Sequence, residues 1–144
     1  MKKNSEQSCT FQLKSIELLE TNMCQPLKPI DQETLFNFDI NLEHRIDPTQ
    51  DILAVVTTIL IYSESRDEAL GKLRAGCVFQ IQNLEKHINL ETRECQIPEP
   101  VTTALNSISI STARGLMFSA FKGTFLHLAI LPVVDPTKFS QQQL

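Results

Sequence analysis

The clearest pattern in the chain is an alternation: Phe36, Phe38, Ile40 and Leu42 are separated by Asn37, Asp39, Asn41 and Glu43. Successive side chains of a strand point to opposite faces, so every apolar residue here falls on one side, as in a half-buried strand of an antiparallel sheet. Leu73, Ala75, Cys77, Phe79 and Ile81 repeat the pattern against Arg74, Gly76, Gln80 and Gln82, broken only by Val78. Between them, Ile52 to Tyr62 is β-branched and apolar on both parities, which predicts a central strand covered on both faces. An earlier segment, Thr10 to Met23, changes phase: Phe11 and Leu13 share one parity, Ile16 and Leu18 the other. A bulge or bend restores a common inward face, and bulges favour sheet edges.

Turn residues separate these segments, Asp47-Pro48 after the second and Ser63 to Asp67 after the third, so the four strands read as a meander. The longer connection from Cys24 to Thr34 holds Pro26, Leu27, Pro29 and Ile30, and proline there predicts an extended, irregular path. From Val101 the period becomes helical, with Ala104, Leu105 and Ile108 continued by Thr112, Gly115 and Leu116, after Pro98 and Pro100. Gly123 is the expected C′ residue. Hydroxyls at Thr102, Thr103, Ser107, Ser109, Ser111 and Thr112 give this helix little intrinsic propensity, so it depends on packing. Asp135 then reads as an N-cap with Pro136 at the first helical position, opening a short terminal helix through Phe139.

Composition narrows the class. A chain of 144 residues with 42% hydrophobic and 21% charged residues is the size and make-up of one globular domain. We take residues 1–9 as a flexible N-terminus, 10–140 as the domain and 141–144 as a tail. A net charge of −4 with no basic block argues against nucleic acid or an anionic membrane as partner. The longest apolar-rich stretch, Ile52 to Tyr62, is 11 residues, well short of the roughly 20 needed to span a bilayer. No apolar stretch follows the first residues, and the cysteines at 9, 24, 77 and 95 form no Cys-x-x-Cys pair, so the expected setting is cytoplasmic with reduced thiols.

Catalytic chemistry is not legible. No Gly-x-Ser-x-Gly or local Cys and His signature is present, and neighbouring acids such as Glu64, Asp67 and Glu68 fit solvated turns. His44, His87 and His127 do not stand at ligand spacing from the cysteines, and the four glycines are too dispersed for a phosphate loop. No enzyme, metal or cofactor is expected. Binding is the better expectation, because Met23, Leu27, Ile30, Leu35 and Phe36 lie on or beside the proline-broken connection. Apolar residues on such a loop either plug the core or line a groove, and covering the sheet is the commoner outcome.

Several stretches resemble one family, the bacterial export chaperone SecB. Thr10 to Ile16 is similar to its first strand, and Pro26 falls where its crossover loop begins. Gly76-Cys77-Val78-Phe79-Gln80-Ile81 resembles its Gly-Gly-Ile-Phe-Ser-Ile stretch, and Gly123-Thr124-Phe125 through Pro132, Val133 and Phe139 matches its closing segment. The resemblance implies an α+β fold: a SecB-like four-stranded antiparallel sheet with a long helix and a short C-terminal helix, assembling as a dimer of dimers. It implies a nucleotide-independent holdase, a homotetramer that keeps unfolded or precursor polypeptides in apolar grooves, here mapped to Met23, Leu27, Ile30, Phe36 and Phe139. Two alternatives are a chaperone dedicated to one client, such as an antitoxin, and an interaction protein of the same fold. Docking of the SecA motor maps to Glu20, but Cys24 and Lys72 replace acids of the family, and Leu126 replaces its usual proline. A lysine facing a cationic partner repels it.

Overall fold

In the computed structural model, residues 9–139 are described apart from 90 and 93, so the expected tail and nearly all of the expected flexible N-terminus lie outside the described residues. Four long strands, β1 (Phe11–Met23), β2 (Asn37–Asp47), β3 (Ile52–Tyr62) and β4 (Ala69–Ile81), form one antiparallel sheet in the order β1-β4-β3-β2. The simple meander is thus corrected. Only β2, β3 and β4 follow one another by hairpins, while β1 pairs with β4 and the 24–36 connection crosses to the opposite edge. The sequence supplies tight turns on both sides of β3 but not after Met23, where Pro26 and Pro29 forbid a short return.

Alternation reads out as expected on the core side. Leu53, Val55, Thr57, Ile59 and Ile61 of β3 and Leu73, Ala75, Cys77, Phe79 and Ile81 of β4 are all buried. On the other face of β3 Val56 is buried, whereas Ala54, Thr58, Leu60 and Tyr62 are half-buried, so this central strand is sealed on one side only. Two bulges, between Leu13 and Ser15 and between Leu18 and Glu20, realign β1 with β4. They are the physical answer to its phase change, and they fall on an edge strand.

After β4, Asn83 adopts a left-handed conformation (φ 56°) and a 3-10 turn, Leu84–His87, leads into a small hairpin of β5 (Ile88–Asn89) and β6 (Glu94–Cys95). The alternation signal was too short to reveal this hairpin, whose strands hold two residues each. Helix α1 (Glu99–Ala120) packs over β3 and β4, with Pro100 in its first turn where a missing N–H costs nothing. Its buried face is Thr102, Leu105, Asn106, Ser109, Ile110, Ala113 and Met117, rotated from the apolar stripe that the sequence suggested; Gly115 is exposed. Polar residues occupy the core side because they are satisfied there: the Ser109 hydroxyl donates to the Leu105 carbonyl at 2.7 Å.

The helix ends at Ala120 and Gly123, at φ 79°, reverses the chain two residues beyond the cap Phe121. The Thr124 hydroxyl donates to the Phe121 carbonyl at 2.7 Å and accepts from Leu126 N–H at 3.1 Å, which gives the hydroxyl after Gly123 a part in the turn. Beyond it the apolar run 125–133 is irregular rather than strand-like, with Leu126, Ala129 and Leu131 buried. Asp135 does cap, accepting from Thr137 N–H at 2.9 Å, but it opens a 3-10 turn over Pro136–Lys138 and not a helix through Phe139.

Candidate functional site

The crossover segment is held to the β3–β4 hairpin by its backbone. Cys24 N–H donates to the Leu70 carbonyl at 2.9 Å, and Leu27 N–H to Glu68 Oε1 at 2.8 Å. The Leu27 side chain is 90% exposed. Between the crossover and the hairpin lies a cavity of about 360 Å³, with Pro26, Pro29, Ile30 and Thr34 on one wall and Ser63, Glu68 and Leu70 on the other. The hairpin is ordered by Asp67, which accepts from the hydroxyls of Ser65 and Ser63. Those bonds, Ser65 foremost, hold its carboxyl below the usual range.

The structure divides the proposed groove residues. Leu27 projects outward, and Met23, at the end of β1 opposite Gly71, is 45% exposed. Ile30, Phe36 and Phe139 are half-buried and pack against the core, so they serve the fold as well as any ligand. Met23, Leu27, Ile30 and Phe36 gather on and beside the crossover, whereas Phe139 is tied to α1: its carbonyl accepts from Asn106 Nδ2 at 3.0 Å.

Sequence reasoning missed a second apolar surface. Register places Leu13, Ile16 and Leu18 opposite Phe79, Cys77 and Ala75, on the helix side of the sheet. They are nonetheless exposed, because α1 covers β3 and β4 while β1 extends beyond it. Leu19, displaced by the second bulge, lies on the opposite face over Gly76. Leu35, Phe118, Leu128, Ile130 and Val133 are exposed as well. The phase change in β1 carried the signal: apolar residues on both parities of an edge strand leave some of them uncovered.

Glu20, the proposed motor-docking carboxylate, faces Lys72 Nζ at 3.4 Å and Arg74 at 3.8 Å on the helix-free side. Two cations of its own chain therefore already neutralise it. Among the described residues no group of His, Cys, Asp and Glu is arranged to hold a metal ion, and no helix is long and apolar enough to cross a membrane. All four cysteines are free thiols, and burial pushes the Cys9 and Cys95 thiols up, away from nucleophilic reactivity. What remains is apolar surface around a defined edge strand and crossover, chemistry suited to binding polypeptide.

No family model matches the sequence, and no curated protein matches it. Among solved structures, the chain is similar to the Mycobacterium tuberculosis SecB-like chaperone Rv1957, in complex with a ChAD peptide from the Rv1956 HigA1 antitoxin. The match covers 86% of this chain and 84% of that one, with a TM-score of 0.55 and 16% sequence identity. Strand order, the long helix over one face and this superposition together give the chain the fold of the SecB-like chaperones.

Proposed function

We propose that this protein is a nucleotide-independent holdase that binds unfolded polypeptides on apolar surface at the crossover loop and along β1. One observation carries the reading: Leu27 is 90% exposed on the crossover, while Leu13, Ile16, Leu18 and Met23 stay uncovered along β1. Apolar client side chains leaving water there gain about 25 cal/mol per Å², without directional demands, so many sequences can bind. Backbone pairing along the free edge of β1 adds affinity that does not depend on client sequence. A homotetramer built as a dimer of dimers in the cytoplasm would present several such surfaces to one client chain and add avidity.

A dedicated client is the second reading. Rv1957 was solved with a peptide from an antitoxin, and in the present chain Glu20 is already paired with Lys72 and Arg74, which disfavours docking of a cationic motor tail. Purified protein is expected to suppress aggregation of a chemically unfolded substrate without nucleotide, at a stoichiometry of one tetramer per client. Absence of suppression at excess protein sinks the holdase and leaves an interaction protein of the same fold. Capture from the native cytosol separates the remaining two: many precursors indicate a general export role, one dominant partner a dedicated one.

A further inference from the structure

The four thiols are spread unevenly over the sheet. Cys24 lies just past the far end of β1, and about 40 Å of extended strand separates it from Cys9. Cys77 is buried in the middle of β4, opposite Ile16. The topology brings the other two, Cys9 and Cys95, to one end of the sheet. Cys9 shares the parity of Phe11, whose ring packs edge-on against Phe79 of the core at 6.1 Å. Gln82 N–H donates to the Thr10 carbonyl at 2.9 Å, so the β1–β4 pairing runs one step past the end of β4. From there the chain turns through Asn83 and Leu84–His87 into β5, where Ile88 pairs with Cys95.

Gln96 N–H, which donates to the His87 carbonyl, holds the Cys95 strand against that turn. Both thiols are half-buried and pack on the same core. Electrostatics agree with this placement. Burial pushes the Cys95 thiol up, the Ile97 backbone opposes it, and a charge on Cys9 pushes it up further, so each sulfur lies within the other's field. Cys24 and Cys77 have no such neighbour in reach, since one stands at the opposite end of the sheet and the other is sealed under α1.

We propose that Cys9 and Cys95 are a reversible thiol pair that closes to a disulfide and clamps the start of edge strand β1 to the β5–β6 hairpin. The oxidant is a small-molecule disulfide such as oxidised glutathione. One protein thiolate attacks it, forming a mixed disulfide and expelling a glutathione thiolate. The second protein thiolate then attacks the protein sulfur of the mixed disulfide and expels the other glutathione. Two protein thiols are oxidised, one glutathione disulfide is reduced to two thiols, and the protons leave to solvent. Burial keeps both thiolates scarce, so closure takes hours rather than seconds; the pair senses the thiol pool and is not a catalyst. The link encloses all four long strands in one covalent loop, which restricts the unfolded chain, and it anchors an edge strand that pairs with β4 alone. The clamp is independent of the holdase reading.

The test uses the full chain with Cys24→Ser, which removes the exposed thiol and with it links between molecules. The folded protein is incubated in oxidised or reduced glutathione, free thiols are alkylated, and peptides are mapped by mass. The oxidised sample is expected to yield a peptide pair joined through Cys9 and Cys95, lost on adding dithiothreitol and absent in Cys9→Ser and in Cys95→Ser. Comparing oxidised with reduced protein of the same sequence then reads the clamp without a substitution at either cysteine. The urea midpoint is expected to rise, and amide exchange at Phe11 to Leu13 to slow about tenfold. Separate glutathione adducts on Cys9 and Cys95, or full alkylation of both after long oxidation, overturn the pair. A link that forms only in urea-unfolded chain overturns it as well. A link with an unchanged or lower midpoint, or with unaltered exchange at 11–13, overturns the clamp.

Discussion

Two leucine-type side chains on the same loop illustrate how differently neighbouring residues can be used. Leu27 is 90% exposed, whereas Ile30, three residues on, is half-buried against the core. Leu27→Ser is therefore expected to leave stability within about 0.5 kcal/mol of wild type while weakening client binding. Ile30→Ser removes packed methylenes and places a hydroxyl against apolar neighbours, for an expected loss of about 1–3 kcal/mol. Urea unfolding and binding of an unfolded probe, measured on both variants, check this; a Leu27→Ser variant that unfolds early would place that side chain in the core instead. From sequence alone both residues read equally as plug or groove. Their difference is that Ile30 packs against the core while Leu27 does not, a matter of tertiary contact that no local pattern encodes.

At the scale of elements, the segment after α1 is bound to the sheet through Leu126 and Gly71. A Cβ at Gly71 would come within 2.6 Å of Leu126 Cδ1 and 3.4 Å of the Asn22 carbonyl, and Leu126 is buried with little room to withdraw. Gly71→Ala is expected to destabilise by about 1–3 kcal/mol through overpacking. A Cβ at Gly76 meets Leu19 at an ordinary 3.5 Å, so Gly76→Ala is expected to be tolerated. Thermal unfolding of the two variants side by side makes the comparison, and equal melting temperatures would contradict the close approach at Gly71. Strand existence was legible here because alternation survives in any environment, and so was the need for bulges in β1. The face of α1 was not. Thr102, Asn106 and Ser109 count as outward on composition, yet they point inward, where His44 and the Phe139 carbonyl satisfy Asn106 and the Leu105 carbonyl satisfies Ser109.

For the whole molecule, the uncovered flank of β1 and the small outward residues Ser107, Ser111 and Gly115 of α1 are the surfaces an assembly would use. Open space around Gly115 permits close approach of another helix. Sedimentation of the purified 16.3 kDa chain is expected to give a particle of four chains. A single-chain particle would remove the dimer of dimers while leaving the fold intact. By itself the sequence determined four strands, a long packing-dependent helix, the chain reversal at Gly123 shortly beyond its end and the lack of a local catalytic signature. These are properties of side-chain period and turn chemistry, which act over a few residues. Only the tertiary structure decided that β1 sits beside β4, which expected groove residues pack against the core, that Glu20 is already paired, and that Asn106 contacts both His44 and the Phe139 carbonyl. Each of these depends on groups distant in sequence coming within hydrogen-bonding or packing range, which chain closure sets and local preference does not.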